Sequence, residues 1–305
     1  MNRPASLPVI VTENLTKVYR DFWGRASVRA VSNMNLQVEP GQVVGLLGPN
    51  GSGKTTTIKL LLGLIFPTEG RAMVLGRPAG DRQARRLIGF LPEESYLYRF
   101  LNAEQTLHFF GRLFGLSRPE RRRRIDKLLE LVGLDKRAAK RPIGTYSKGM
   151  ARRIGLAQAL INDPELVILD EPTTGLDPLG VIEMKALIKR FRRLGKTVLL
   201  SSHLLADVED VCDRIVVLYR GSIIEQGLVN ELLEMKDVYE LHARNVSVET
   251  QRRLVEMVES SGAEVLESGH KRARLEDLFK RVIAAQSENR LAQHPEHDSS
   301  DGNRT

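Results

Sequence analysis

The chain has 305 residues, 42% of them hydrophobic, which is enough for a large domain with a real core and a smaller one attached. No stretch approaches the roughly 18 consecutive apolar residues that span a bilayer, and the start, Met1-Asn2-Arg3-Pro4, lacks a signal peptide's apolar run, so a cytoplasmic location is expected. A single cysteine, Cys212, excludes an internal disulfide and a cysteine zinc cage, while a net charge of +8 admits nucleic acid or an anionic membrane surface as partner.

Val9-Ile10-Val11 begins a strand, Leu15 to Tyr19 leads into a polar turn, and residues 30–39 form a second extended run stopped by Pro40-Gly41. Tyr19 offers a flat apolar face to an adenine ring, with Phe22 and Trp23 as close competitors; packing on the sheet edge is the alternative.

Val43-Val44-Gly45-Leu46-Leu47 reads as a buried parallel strand and residues 56–62 as a helix. Between them Gly48-Pro49-Asn50-Gly51-Ser52-Gly53-Lys54-Thr55 satisfies the phosphate-loop pattern G-x-x-x-x-G-K-[ST]. Its glycines let successive N–H groups face inward, and with the positive end of the helix dipole they cradle the β- and γ-phosphates of a nucleotide. Lys54 is a point charge for the outer phosphates and the Thr55 hydroxyl a magnesium ligand; Thr56 joins the nucleotide-binding set.

Residues 71–75 and 87–91 read as strands, the second ending at Pro92-Glu93-Glu94, where a carboxylate can reach a metal on the phosphate loop. From Asn102 the pattern turns helical. Leu107, Phe110 and Phe114 share one face, and Ser117-Arg118-Pro119-Glu120 is a capping box opening a helix with Ile125, Leu128, Leu129 and Val132. Ser147 caps a further helix carrying Ile154, Ala157 and Ile161, which creates a second N-terminus suited to an anion.

Leu166 to Leu169 is a buried strand delivering Asp170 and Glu171 at its carboxyl end, where ligands bind in open α/β sheets. Neighbours on a strand face opposite ways, so the acids are expected to have different tasks: Asp170 holds magnesium through a water, and Glu171 faces the attacking water. Residues 173–178 form a turn, 181–191 a helix and 197–201 a strand ending near His203, on the same edge and suited to bond a γ-phosphate or that water. Residues 214–219 and 222–226 close a hairpin across Arg220-Gly221.

Together these residues resemble the ATP-binding subunits of ABC (ATP-binding cassette) transporters over about three quarters of the chain. Residues 48–55 match the Walker A loop, 166–171 the Walker B strand, Gly175-Leu176-Asp177-Pro178 the D-loop, and His203 the switch histidine. Tyr19 falls where the family has its adenine-stacking aromatic. Ser147-Lys148-Gly149-Met150 stands where the family has Leu-Ser-Gly-Gly-Gln, keeping Ser147 and Gly149, while Lys148 and Met150 depart from it. Glu93 replaces the usual Q-loop glutamine; it keeps an oxygen for magnesium and loses an amide donor.

The resemblance implies a phosphate-loop NTPase of α/β class: an antiparallel β-subdomain, a parallel-sheet core of RecA type, a helical insert and a small α+β extension. It implies ATP and Mg2+ as ligands, with Asp177, Ser147 and Gly149 serving a nucleotide held between two subunits paired head to tail. It also implies a transmembrane permease on a separate chain, export as the process, and the cytoplasmic face of the membrane as the location. The expected domains are residues 7–230, with the insert at about 95–162, then 231–284, then a disordered tail over 285–305. Within the extension, residues 238–243 are expected as strand and 249–261 and 274–284 as helices, and Leu275-Glu276-Asp277-Leu278-Phe279 resembles the ending of export cassettes. His294 and His297 belong to the tail rather than to a metal site.

Arginine clusters at 82–86, 118–124 and 190–193 read as solvated helix faces, and the face near Arg121 to Lys127 is expected beside the permease and the inner leaflet. The rival reading is a soluble cassette ATPase acting on nucleic acid or ribosomes, which the charge suits. Those relatives carry paired cassettes or a long coiled coil, and this sequence has one phosphate loop and no sustained heptads. A small-molecule kinase would leave Ser147, Asp177 and His203 unexplained.

Overall fold

Apolar runs without alternation become buried parallel strands, and alternating runs become an outer antiparallel sheet. The computed structural model describes residues 7–20, 26–235, 237–268 and 270. The chain divides into two units, Met1–Glu234 and Met235–Thr305. The strands of the first are β1 (Ile10–Arg20), β2 (Ala26–Met34), β3 (Gln37–Val38), β4 (Val43–Leu47), β5 (Glu69–Val74), β6 (Arg77–Pro78), β7 (Ile88–Leu91), β8 (Leu166–Leu169), β9 (Thr197–Ser202), β10 (Arg214–Tyr219) and β11 (Ser222–Leu228). Its helices are α1 (Lys54–Leu61), α2 (Arg82–Arg86), α3 (Ala103–Leu113), α4 (Arg118–Leu131), α5 (Lys136–Ala139), α6 (Lys148–Ala159), α7 (Pro178–Arg193), α8 (Leu205–Glu209) and α9 (Val229–Leu233).

Six strands form one sheet in the order β11-β10-β4-β9-β8-β7, parallel throughout except for the β10–β11 hairpin. The other sheet is antiparallel, β2-β1-β5-β6, with β3 also paired to β1. Period-two alternation sorts the central strands between two cores. Leu166 and Ile168 pack with Val44, Leu46, Ile58 and the apolar side of the antiparallel sheet. Val167 and Leu169 pack with Leu107, Ile154 and Phe191 beneath the helices. Truncating a fully buried residue such as Leu107 to alanine would cost about 2–5 kcal/mol.

The insert is helical as expected. Asn102 and Gln105 close a reciprocal capping box at the start of α3, with bonds of 2.8 and 2.9 Å. At the start of α4, Glu120 accepts from both the N–H and the hydroxyl of Ser117. Ile125, Leu128 and Leu129 of α4 and Ile154 of α6 then join one core with Leu107.

Two expectations need correction, while β1 runs from Ile10 through the Leu15 to Tyr19 segment to Arg20, with register shifts against β2, and the polar turn expected after it lies largely outside the described residues. The extended run over 30–39 breaks at Met34, after Asn33 enters the left-handed region at φ 48°, and resumes as β3. In the second unit, residues 238–243 are irregular; among the described residues no strand pairs with them, and an unpaired strand would leave its backbone groups unmatched. That unit does carry α10 (Val248–Ser260), whose first turn is capped by Ser247 accepting from Thr250 N at 3.2 Å. Phe22, Trp23, residues 274–284, the tail, His294 and His297 lie outside the described residues.

Candidate functional site

Strands β4, β7, β8 and β9 run parallel, so the residues after each carboxyl end share one edge: the phosphate loop, Glu93, the acid pair and His203. Gly53, the residue before α1, is left-handed at φ 106°, and a Cβ there would lie 2.4 Å from the Ala30 carbonyl oxygen. Only glycine fits that turn. The hairpin at Gly221 backs the loop from the other side, its N–H donating to Ser52 O at 3.0 Å. Pro49, Asn50 and Gly51 form the exposed tip, and Gly48 is half-buried at its base.

Lys54 is buried and folded along the loop, donating to Gly48 O at 2.7 Å and Pro49 O at 3.3 Å, with Glu171 Oε1 3.4 Å from its ammonium. Thr55 Oγ1 lies 3.4 Å from Asp170 Oδ1. Thr56 is half-buried in the first turn of α1. Among the described residues the N–H groups of Lys54, Thr55 and Thr56 have no carbonyl partner, whereas Thr57 N donates to Gly53 O at 2.8 Å, and the buried Ser52 hydroxyl has no hydrogen-bond partner. This set of donors around one cationic side chain fits a polyphosphate.

Asp170 and Glu171 do not diverge as strand neighbours would. β8 ends at Leu169 and Glu171 adopts φ 48°, and both carboxylates meet the phosphate loop, Asp170 at Thr55 and Glu171 at Lys54. Their partners differ all the same. Asp170 Oδ1 accepts from Ser201 Oγ at 2.6 Å beside Thr55, and Ser201 Oγ in turn accepts from Glu171 N at 2.9 Å. Glu171 Oε2 lies 2.8 Å from His203 Nδ1 and accepts from Thr174 Oγ1 at 3.2 Å. Among the described residues no cluster of three or more His, Cys, Asp or Glu side chains could cage a metal. A threonine hydroxyl with one carboxylate fits magnesium, which takes few protein oxygens and completes its shell with phosphate and water.

Ser147, Gly149 and Asp177 form a separate group. Ser147 Oγ accepts from Met150 N at 3.2 Å at the start of α6, and Asp177 Oδ1 accepts from Gly180 N at 3.0 Å at the start of α7. Lys148 lies against the D-loop: a Cβ on Gly175 would come 1.9 Å from its Nζ. Among the described residues no hydrogen bond or ion pair joins this group to Lys54. Tyr19 is partly exposed on β1, with Lys17 Nζ 5.4 Å from its ring centre. Glu93 is exposed, and its carbonyl, not its carboxylate, carries its described contact.

Sequence reasoning missed four contributors. Ser201 orders the acid pair. Thr173 donates to Asp207 at 2.6 Å, and Lys185 of α7 reaches Asp207 at 3.4 Å and Asp210 at 3.0 Å, which ties α7 to the segment after His203. Arg152 of α6 is buried and donates only to main-chain oxygens. Burial pushes its guanidinium down to about 10, against the opposing pull of Asp170, Glu93 and Glu171.

A doubly cored parallel sheet with a lysine loop after its β4 strand and two acids after β8 defines a phosphate-loop NTPase. Comparison with known proteins gives the family. The ABC transporter family model matches residues 31–174. An uncharacterized ABC transporter ATP-binding protein of Synechocystis is 41% identical over 304 residues, covering 92% of this chain and 86% of that protein. The Nod factor export ATP-binding protein I of Cupriavidus metallidurans is 40% identical over 239 residues, covering 77% of each. Among solved structures, a dimeric post-hydrolysis state of the ATP-binding cassette MJ0796 bound to ADP and Pi superposes with a TM-score of 0.66 at 28% identity, covering 72% of this chain and 98% of that one. The chain belongs to the ATP-binding proteins of ABC transporters, and no helix among the described residues is long and apolar enough to cross a membrane.

Proposed function

We propose that this chain is the ATP-hydrolysing subunit of an exporter whose permease is a separate polypeptide, and that it works as a dimer paired head to tail at the cytoplasmic membrane face. The observation that carries this reading is the convergence of Lys54, Thr55, Asp170, Glu171 and His203 at one sheet edge. Lys54 and the first-turn N–H groups of α1 hold the phosphates, and Tyr19 stacks on the base. Thr55 and Asp170 would hold magnesium, with Glu93, which follows β7 at the same sheet edge, as a further oxygen donor; the ion would supply charge to offset that of the phosphates. Glu171 takes a proton from the attacking water, and His203 orients that carboxylate through its 2.8 Å contact.

Dimerisation is supported by the donor set left over at Ser147 and Gly149, which Lys54 of the same chain does not reach, and by the dimeric cassette among the structural relatives. Export follows the Nod factor relative. The permease surface is assigned to the exposed rings Tyr96, Tyr98, Phe100 and Phe109 that follow Glu93, of which Tyr98 sits 5.8 Å from Phe100 and 6.0 Å from Phe109 between ring centres. The test is purification of the tagged chain from solubilised membranes with an assay of magnesium-dependent ATP turnover. A co-purifying membrane protein and turnover abolished by Lys54→Ala are expected; recovery only with ribosomes or DNA would favour the soluble rival.

A further inference from the structure

Arginine has five N–H donors on a rigid plane. Arg152 spends all five on backbone carbonyls: Nε on Pro172, Nη1 on Pro92 and Glu93, and Nη2 on Asp170 at 2.8 Å and Glu171 at 2.7 Å. The side chain is 5% exposed, and none of its described bonds goes to a carboxylate. A buried guanidinium satisfied only by carbonyls is a costly choice for packing alone, since an apolar residue would fill the space without desolvating a charge. What the charge obtains is geometry. Its five acceptors come from two loops, one after β7 and one after β8, and the guanidinium itself rides on α6, whose first residue follows the Ser147 cap.

Glu171 is where that geometry matters. Its φ of 48° is uncommon for a non-glycine residue, and this turn aims Oε2 at His203 and Oε1 at Lys54. Arg152 grips the carbonyls of Asp170 and Glu171 and that of Pro172, which follows, while Ser201 holds the N–H between the two acids.

We propose that Arg152 is a positioning residue for ATP hydrolysis: it sets the backbone of the Asp170-Glu171 corner and yokes it to the Glu93 loop and to α6, so that the glutamate is aimed for proton removal only while α6 is seated. The inference rests on the ATP-hydrolysing reading above. Nucleotide binding belongs to Lys54 and the loop, which Arg152 does not touch, so turnover and affinity should separate.

The test uses the full chain with Arg152→Met, which keeps the length and removes the donors, and Arg152→Lys, which keeps the charge with three donors. Binding of a fluorescent ATP analogue, kcat and KM for magnesium-ATP, and the folded fraction by near-UV circular dichroism would be measured on each. The expected result is an analogue Kd within threefold of the parent for both variants, kcat per folded molecule lowered at least tenfold in the methionine variant, and an intermediate kcat in the lysine variant. Equal loss of affinity and turnover, unchanged kcat per folded molecule, or failure of both variants to fold would overturn the proposal, because each leaves Arg152 a purely structural residue. A parent chain with no ATP turnover would instead sink the hydrolysis reading itself.

Discussion

Lys54 Nζ and Glu171 Oε1 stand 3.4 Å apart, both side chains nearly buried, so the cation that would meet phosphate and the carboxylate that would meet water form one ion pair. Desolvation makes such a pair costly to break from one side only. Glu171→Gln keeps the shape and removes the base. It should lower ATP turnover about 10²–10⁴-fold while nucleotide binding persists, leaving a long-lived ATP-bound dimer. Light scattering after size exclusion with ATP checks this, and a monomer with full turnover would refute the role.

Lys54→Ala and Ser147→Arg should fail differently. Loss of the ammonium removes charge-assisted contacts worth about 1.5–3 kcal/mol each, or roughly a 10- to 150-fold loss of nucleotide affinity. Ser147→Arg places a bulky cation at the start of α6, away from Lys54, and should spare binding while blocking ATP-driven dimerisation. Calorimetric titration of the nucleotide beside sedimentation velocity separates the two; parallel loss of binding in both would argue against a shared interface.

Ser201→Ala should cost about 1–3 kcal/mol of folding free energy, because Glu171 N and Asp170 Oδ1 each lose a buried partner. Urea unfolding measures it. The magnesium concentration for half-maximal turnover should rise as well, since Asp170 is no longer held beside Thr55.

Cys212 is buried beside Gly45, where a Cβ would lie 3.0 Å from its sulfur, and burial raises its thiol well above the ordinary range. Below about pH 9 both folded and unfolded chains keep the proton, and its stabilising effect is fully present. Above that, the unfolded chain releases the proton and the folded chain retains it, so stability falls with rising pH, by up to about 1.4 kcal/mol per pH unit from this group. The difference between the parent and Cys212→Ala in unfolding free energy, followed from pH 8 to about pH 10.5, should show that slope. Thiol reagents should also react slowly until the protein unfolds.

The phosphate loop, the acid pair, His203 and the Ser117 capping box were legible in the sequence because each is written in nearby residue types with a local cause. Ser201 was not: it ends an apolar strand and its partners lie thirty or more positions away in the chain. Arg152 was hidden for a stronger reason. All its partners are carbonyl oxygens, which every residue owns, so no pattern of side chains announces them. The break at Asn33 and the turn at Glu171 escaped because both need a left-handed backbone at a residue other than glycine, which tertiary contacts impose and composition does not.

The Ala30 carbonyl rests beneath Gly53 while the Gly221 N–H reaches Ser52 O and the Ser32 N–H reaches Gly221 O at 2.8 Å. The seam between the sheet that carries Tyr19 and the loop that carries Lys54 is therefore stitched by main-chain contacts. On the proposed reading in which Tyr19 meets the base, exposed side chains of the outer strands could change and alter how firmly a base is grasped without retuning the phosphate end. A methyl group at Gly53 is the kind of change that would unpick both at once.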